Sequence, residues 1–366
     1  DSYTEQAGEQ LRLLRAAFAN DAEFRELATS PLMLSVMSLV YKDISIDEIS
    51  AKDPTTYRQM LFDAYIGKMF QHRGKTRSYS PEQMKHWLTW MARKMKDKTQ
   101  SAFLVERIQP SWLDNTSRKV QYRLESALMY GCVVGLTTFL IAQLDTSSSS
   151  ELFFGSVIGL ISGLVVALRG DIQPVETLTL VSQNMRETLL DGIVRGFFGG
   201  LILGLFLWVD MGSFRGLIVG VTGGLVFGVL SGLIGALSGP GLTMTTKPNH
   251  GMWKSMENAS KVAVACGLFS VIPSLLTQDS NSPIFYASLL GLIGALMCGA
   301  TACLRHLSLR IMLYRLGCNP WNYNLFLNEA AELLFLQRVG GGCVFMHRMF
   351  QEHFAQMKTE EVRDKL

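Results

Sequence analysis

Charge is what this sequence has least of. Asp, Glu, Lys and Arg make up 18 % of its 366 residues, against roughly 25 % in an average globular chain, and they are sparsest between Arg123 and Arg305. The mean hydropathy is +0.20. This balance excludes intrinsic disorder and argues against a wholly soluble chain. The net charge of +3 is too mild to point to nucleic acid, and no such partner is expected. Cysteine is scarce as well. The six thiols include no Cys-x-x-Cys pair and none has a histidine at zinc-finger spacing, so neither a disulfide framework nor a metal site is indicated. Asp1–Ala28 is polar and helix-forming and has no signal-peptide pattern. The start at Asp1 is expected to fall inside a longer protein.

What is present in quantity is apolar length almost free of charge, with Arg195 and Lys261 within it only near cytoplasmic ends. Six stretches stand between Ser126 and Leu304: Ser126–Leu144, Leu152–Leu168, Gly192–Val209, Phe214–Ser238, Ala259–Thr277 and Pro283–Leu304. Each has the roughly 17–25 residues that cross a hydrocarbon core. Short polar links pair them into three hairpins, and longer charged links join one hairpin to the next. Each hairpin has a similar amphipathic lead-in, at Tyr122–Glu125, Met185–Thr188 and Trp253–Glu257, and Gly131, Gly196 and Gly267 recur at nearly equal intervals. The pattern predicts three divergent copies of one hairpin. Arg123, Arg169, Arg186, Lys247, Lys254 and Arg305 all fall on the side of the longer links, which the positive-inside rule places in the cytoplasm together with both ends of the chain.

Glycine is ordered within these stretches. Gly155, Gly159 and Gly163 stand four apart, as do Gly192, Gly196, Gly200 and Gly204, and then Gly216 through Gly232. Spacing of four puts small residues on one ridge, where helix backbones approach closely. A compact bundle is expected, with room for continuation into a homo-oligomer. No Asp, Glu or His lies at mid-membrane, which disfavours an ion-coupled transporter. Pro273 marks where the fifth stretch could bend. A pore, a lipid-contacting sensor and a plain anchor all stay open.

The flanking segments read as helical. Thr55–His72 is one helix. Ser80-Pro81-Glu82-Gln83 opens another with a capping box and proline in the first turn, running to about Lys96. Beyond the apolar region Phe326–Gln337 reads as a helix, Gly340-Gly341-Gly342 as a tight turn, Cys343–Phe345 as an extended piece and His347–Met357 as a last amphipathic helix. Gly74-Lys75-Thr76 imitates the end of a phosphate-binding loop but lacks its earlier glycine and its preceding strand. No Ser-His-Asp, paired-carboxylate or zinc-protease arrangement stands out, and no catalytic residue is assigned.

Two segments carry a resemblance. Thr29-Ser30-Pro31-Leu32-Met33-Leu34 resembles the proline motif that follows the nucleotide-binding core of NACHT-type STAND NTPases, bacterial relatives of the animal NOD-like receptors. Phe345-Met346-His347-Arg348-Met349-Phe350-Gln351-Glu352-His353-Phe354-Ala355 is similar to the motif ending their winged-helix domain. Tyr79–Gln83 with Trp87 and Trp90, and Phe103–Arg107, resemble its beginning. The resemblance implies that Pro31 packs against the adenine of ADP or ATP and that His347 donates to the nucleotide's β-phosphate; Gln351 and Glu352 read as structural, stabilising the helix or its packing. It also implies an NTPase core before Asp1, since no Walker motif is present, so enzymatic activity would belong to that core.

The fold expected is therefore all-α: a helical and winged-helix-like cytoplasmic part with an inserted six-helix transmembrane bundle built from three hairpin repeats. Its expected parts are a helical domain at 1–50, the first piece of the winged helix at 51–120, the membrane module at 121–310 and the last piece at 311–366. The expected role is that of a nucleotide-switched signalling or defence protein, multi-pass in the bacterial plasma membrane, with the bilayer and its own upstream NTPase domain as partners. A transporter or pore with regulatory soluble ends is the alternative.

Overall fold

The computed structural model describes residues 54–72, 78–143, 151–168, 250–277 and 283–357, with short pieces at 172, 177–178, 190, 193–194, 197 and 238–239. The expected domain at 1–50, with Pro31, and nearly all of Gly192–Val209 and Phe214–Ser238 lie outside them. Among the described residues the chain is mostly helical. In order come α1 (Pro54–His72), α2 (Pro81–Asp97), α3 (Thr116–Ala142), α4 (Glu151–Leu168), β1 (Thr177–Leu178), β2 (Ser238–Gly239), α5 (His250–Thr277), α6 (Pro283–Ala295), α7 (Thr301–Arg315), α8 (Tyr323–Glu332), β3 (Leu336–Val339), β4 (Gly342–Phe345) and α9 (Arg348–Gln356). The chain divides into two compact units. One joins Asp1–Phe103 to Leu316–Leu366; the other is Leu104–Arg315.

The first, discontinuous unit is organised by caps and aromatics. Ser80 Oγ accepts the Gln83 N–H at 3.2 Å and Gln83 Oε1 accepts the Ser80 N–H at 3.1 Å, completing the capping box that starts α2. Lys94 and Lys96 sit in its last turn, where cations favour the helix dipole. Met84, Trp87, Leu88, Met91, Ala92 and Met95 form its buried face at helical spacing. Phe62, Phe335, Phe350 and Phe354 are almost fully buried. Their rings lie 4.9–5.8 Å apart, in tilted and edge-on pairs that aromatic quadrupoles favour.

β3 and β4 form an antiparallel hairpin turning at Gly340, whose φ of 60° suits glycine. Phe103 pairs with Cys343, with N–H···O distances of 2.7 and 3.0 Å, adding a single bridge to the hairpin's edge. Here the structure departs from the helix expected over Phe326–Gln337. The helix stops at Glu332, Leu334 takes a left-handed φ of 59°, and Leu336 already pairs with Phe345. Burying Phe335 and Leu336 completely and forming the hairpin ladder outweigh the local helical preference.

The second unit holds α3 through α7. α3 packs on α4 through glycine. A methyl group built at Gly159 would stand 2.6 Å from the Gly131 carbonyl oxygen, and one at Gly163 2.6 Å from that of Ala127. α5 packs on α6 in the same manner: a methyl at Gly291 would meet the Ala263 oxygen at 2.9 Å, and one at Gly267 the Ala287 oxygen at 3.1 Å. Ala127 and Gly131 thus occupy the places in the first hairpin that Ala263 and Gly267 occupy in the other. The ridge expected at Gly159 and Gly163 is an interhelical contact, as close packing of small residues requires.

α6 and α7 are the two halves of what the sequence presents as one apolar stretch, Pro283–Leu304. Leu296–Ala300 forms a π-helical turn in which Gly299 has a φ of 120°, and the axis bends by 59°. The Ser255 carbonyl oxygen would lie 2.8 Å from a Gly299 Cβ, so only glycine fits there. α5, in contrast, runs unbroken through Pro273. By length and composition one helix among the described residues can cross a bilayer alone, Thr116–Ile141, and the bent pair Ala287–Ala295 and Cys298–Arg315 passes only if taken as one span. Sequence patterning also gives no hint of β1 and β2, which pair Thr177 with Gly239 and Leu178 with Ser238, or of the Gln109 side-chain amide, which exchanges hydrogen bonds of 2.9 and 2.8 Å with the backbone of Ile172.

Candidate functional site

The most specific candidate in the sequence is His347, between β4 and α9. Its backbone is extended (φ −150°, ψ 149°), and it acts as the N-cap of α9. Nδ1 accepts the Met349 N–H at 3.2 Å, and the His347 carbonyl accepts the N–H groups of Phe350 and Gln351 at 3.1 Å each. A helix start has orphan N–H donors, and the ring satisfies one of them. That role fixes the tautomer of the neutral ring. With Nδ1 accepting, the proton is on Nε2. The half-buried imidazole can therefore offer one directed N–H to an anion.

Arg348 and Glu352 are joined across one turn by a 3.1 Å contact. His353 points the other way, is buried, and reaches Asp63 Oδ1 on α1 at 2.9 Å through Nε2. Its ring lies 5.1 Å from that of Phe62. Arg93 on α2 donates to the carbonyls of Ala355 and Met357 at the far end of α9. α9 is thereby tied to α1 and α2, leaving His347 at the end that joins the hairpin. Sequence patterning does not reveal the His353–Asp63 pair, because the partners are far apart in the chain and neither stands in a distinctive local motif. Pro31 lies outside the described residues.

Other titratable groups of this unit read as structural. Burial, and then the nearby Arg93 charge, hold the His86 imidazole below its usual range, against a hydrogen bond with Gly317 that raises it. Burial pushes the Cys343 thiol up to about 11, which keeps it protonated and unreactive at neutral pH. In the second unit His306 is buried with Nε2 2.8 Å from the Val105 carbonyl oxygen, and Tyr122 donates to the Arg305 carbonyl at 3.3 Å. Among the described residues no group of three or more His, Cys, Asp or Glu could hold a metal ion. Comparison of the chain with protein-family models, with curated proteins and with solved structures finds no match.

Proposed function

We propose that this chain is the membrane-embedded C-terminal region of a nucleotide-switched signalling or defence NTPase of the NACHT type. In this proposal the unit around α2, α8, the hairpin and α9 acts as a winged helix. The apolar region forms six crossings in three hairpins of the bacterial plasma membrane, with both ends in the cytoplasm. Pro31 lines the adenine of ADP or ATP held mainly by a preceding core, and His347 gives its Nε2 proton to the β-phosphate. The observation that carries the proposal is the N-cap geometry of His347. A ring whose Nδ1 is committed to Met349 presents Nε2–H in a fixed direction, and a nucleotide anion is a fitting acceptor. Two others support it. The paired small-residue contacts of α3–α4 and α5–α6 suit a repeated hairpin. The first unit also combines helices with a β-hairpin from chain segments on both sides of the apolar region.

The test is nucleotide retention by the full-length protein. His347→Ala is expected to lower co-purified ADP and to release signalling output; unchanged retention and output would refute the switch role. A second reading has its own observation, the 59° break at Gly299, since broken helices mark transport pathways in membrane proteins. Solute flux or conductance by the reconstituted chain, indifferent to nucleotide, would favour a transporter or pore.

A further inference from the structure

α3 begins at Thr116, well before the apolar stretch that starts near Ser126. Its first turns carry Arg118, Lys119 and Arg123, with Val120 and Leu124 exposed on the same segment; Leu124 is 65 % exposed. The first turns of α5 repeat the combination: Lys254 stands beside Trp253, 70 % exposed, and Met256, also exposed. The correspondence is in register. When Ala127 and Gly131 are matched to Ala263 and Gly267, the residues with equivalent interhelical contacts, Arg118 falls on Lys254, Val120 on Met256 and Leu128 on Val264. All four of those apolar residues are exposed.

Some of the described cations of this unit are ion-paired. Lys261 pairs with Glu257 at 2.7 Å and Arg315 with Glu125 at 3.7 Å. Arg118, Lys119, Arg123 and Lys254 have no carboxylate within ion-pair distance among the described residues. Cations interleaved with exposed tryptophan, leucine, valine and methionine set charge that favours a polar surface beside apolar area that disfavours water. They fit a bilayer surface, where the apolar groups enter the acyl boundary and the cations meet phosphates. A single basic lead-in would satisfy the positive-inside rule. Two lead-ins that each set a cation and two exposed apolar residues at equivalent register mark a repeated feature, with two further cations, Lys119 and Arg123, at the first.

We propose that the lead-in turns of α3 and α5 are sites for the headgroups of anionic phospholipids, one per hairpin, with Arg118, Lys119 and Arg123 serving the first and Lys254 the second. This rests on the membrane reading above. A polybasic segment near an anionic surface gains affinity with each cation, so removing one charge lowers retention of anionic lipid by about fivefold.

The experiment uses the full chain purified in detergent and incubated with equal amounts of dioleoylphosphatidylglycerol and dioleoylphosphatidylcholine, the bound lipids then being counted by native mass spectrometry. The wild type is expected to retain phosphatidylglycerol preferentially. Arg118→Gln with Lys119→Gln and Arg123→Gln should lose it at one site, and Lys254→Gln at the other. Lys119→Arg and Lys254→Arg keep the charge and should keep the lipid even if packing is disturbed. Equal retention of the two lipids, or unchanged phosphatidylglycerol in the combined variant, would overturn the proposal. Alkaline carbonate extraction of the expressing membranes separates the two failures. A chain that stays in the pellet without headgroup preference refutes only the lipid sites, whereas one released to the supernatant refutes the membrane reading as well.

Discussion

Alanine in place of Gly159 is the sharpest probe of the helix pairing. A Cβ there stands 2.6 Å from the Gly131 carbonyl oxygen and 3.0 Å from the Gly135 Cα, both backbone atoms that no rotamer change can move. Non-bonded carbon contacts settle at roughly 3.5–4.0 Å, so α3 and α4 must part by roughly 1 Å. A gap of that size forfeits roughly a quarter to a half of the dispersion attraction across the contact, and overpacking of this kind costs about 1–3 kcal/mol. The structure also predicts a gradient. Gly163→Ala should cost nearly as much, Gly291→Ala less (2.9 Å) and Gly267→Ala least (3.1 Å). Gly67 is the control: it lies within α1 and a methyl group there meets nothing within 4 Å. Replacing it with alanine should stabilise the first unit by up to about 1 kcal/mol, the ordinary helical cost of glycine. The assay is unfolding of the full chain by SDS titration in mixed micelles, followed by circular dichroism, with thermal unfolding for the Gly67 variant. If Gly159→Ala unfolds at the wild-type midpoint, the packing of α3 on α4 is wrong.

Two further predictions concern the bend and the pH response. Gly299→Ala cannot keep a φ of 120° with a Cβ 2.8 Å from the Ser255 oxygen, so the bend should open. Spin labels on α6 and α7 would then report a longer distance by pulsed electron resonance, and an unchanged distance would show that glycine is not required there. His86 is held below its usual pKa of 6.5 by burial and then by Arg93, so the folded chain binds that proton more weakly than the unfolded chain does. Its contribution to stability is therefore present above about pH 6.5 and is lost as the pH falls below that value toward the folded pKa. Melting temperature measured from pH 7.5 to 5 should fall more steeply for the wild type than for His86→Gln; parallel profiles would exclude this histidine as the source.

Local chemistry made much of the helical framework legible. The Ser80–Gln83 capping box is a short-range arrangement of side chains with their own backbone, and it forms as its residue types require. The expected helix over Thr55–His72 appears as Pro54–His72. The stretches Leu152–Leu168 and Ala259–Thr277 lie within α4 and α5, since long apolar runs with little charge satisfy their backbone most simply as helix. Glycine spaced by four announced a close-packed ridge, though not which helix would meet it. At His347, the position could be singled out from its surrounding residues, but the tautomer could not, because that depends on where Met349 N–H points once α9 has started.

The amino-acid order by itself therefore determined the helical class, the caps and the spacing of the small residues, all properties of neighbours within a turn or two. Tertiary structure alone decided that Leu336–Val339 leaves helix for strand, because Phe335 and Leu336 gain more from a buried aromatic core and a paired hairpin than from another helical turn. It decided likewise that the last apolar stretch breaks at Gly299, where the Ser255 backbone presses against a residue with no side chain. It also decided that His353 meets Asp63 from the opposite end of the chain. Each of these outcomes depends on a partner distant in sequence, and residue types one turn apart carry no record of it.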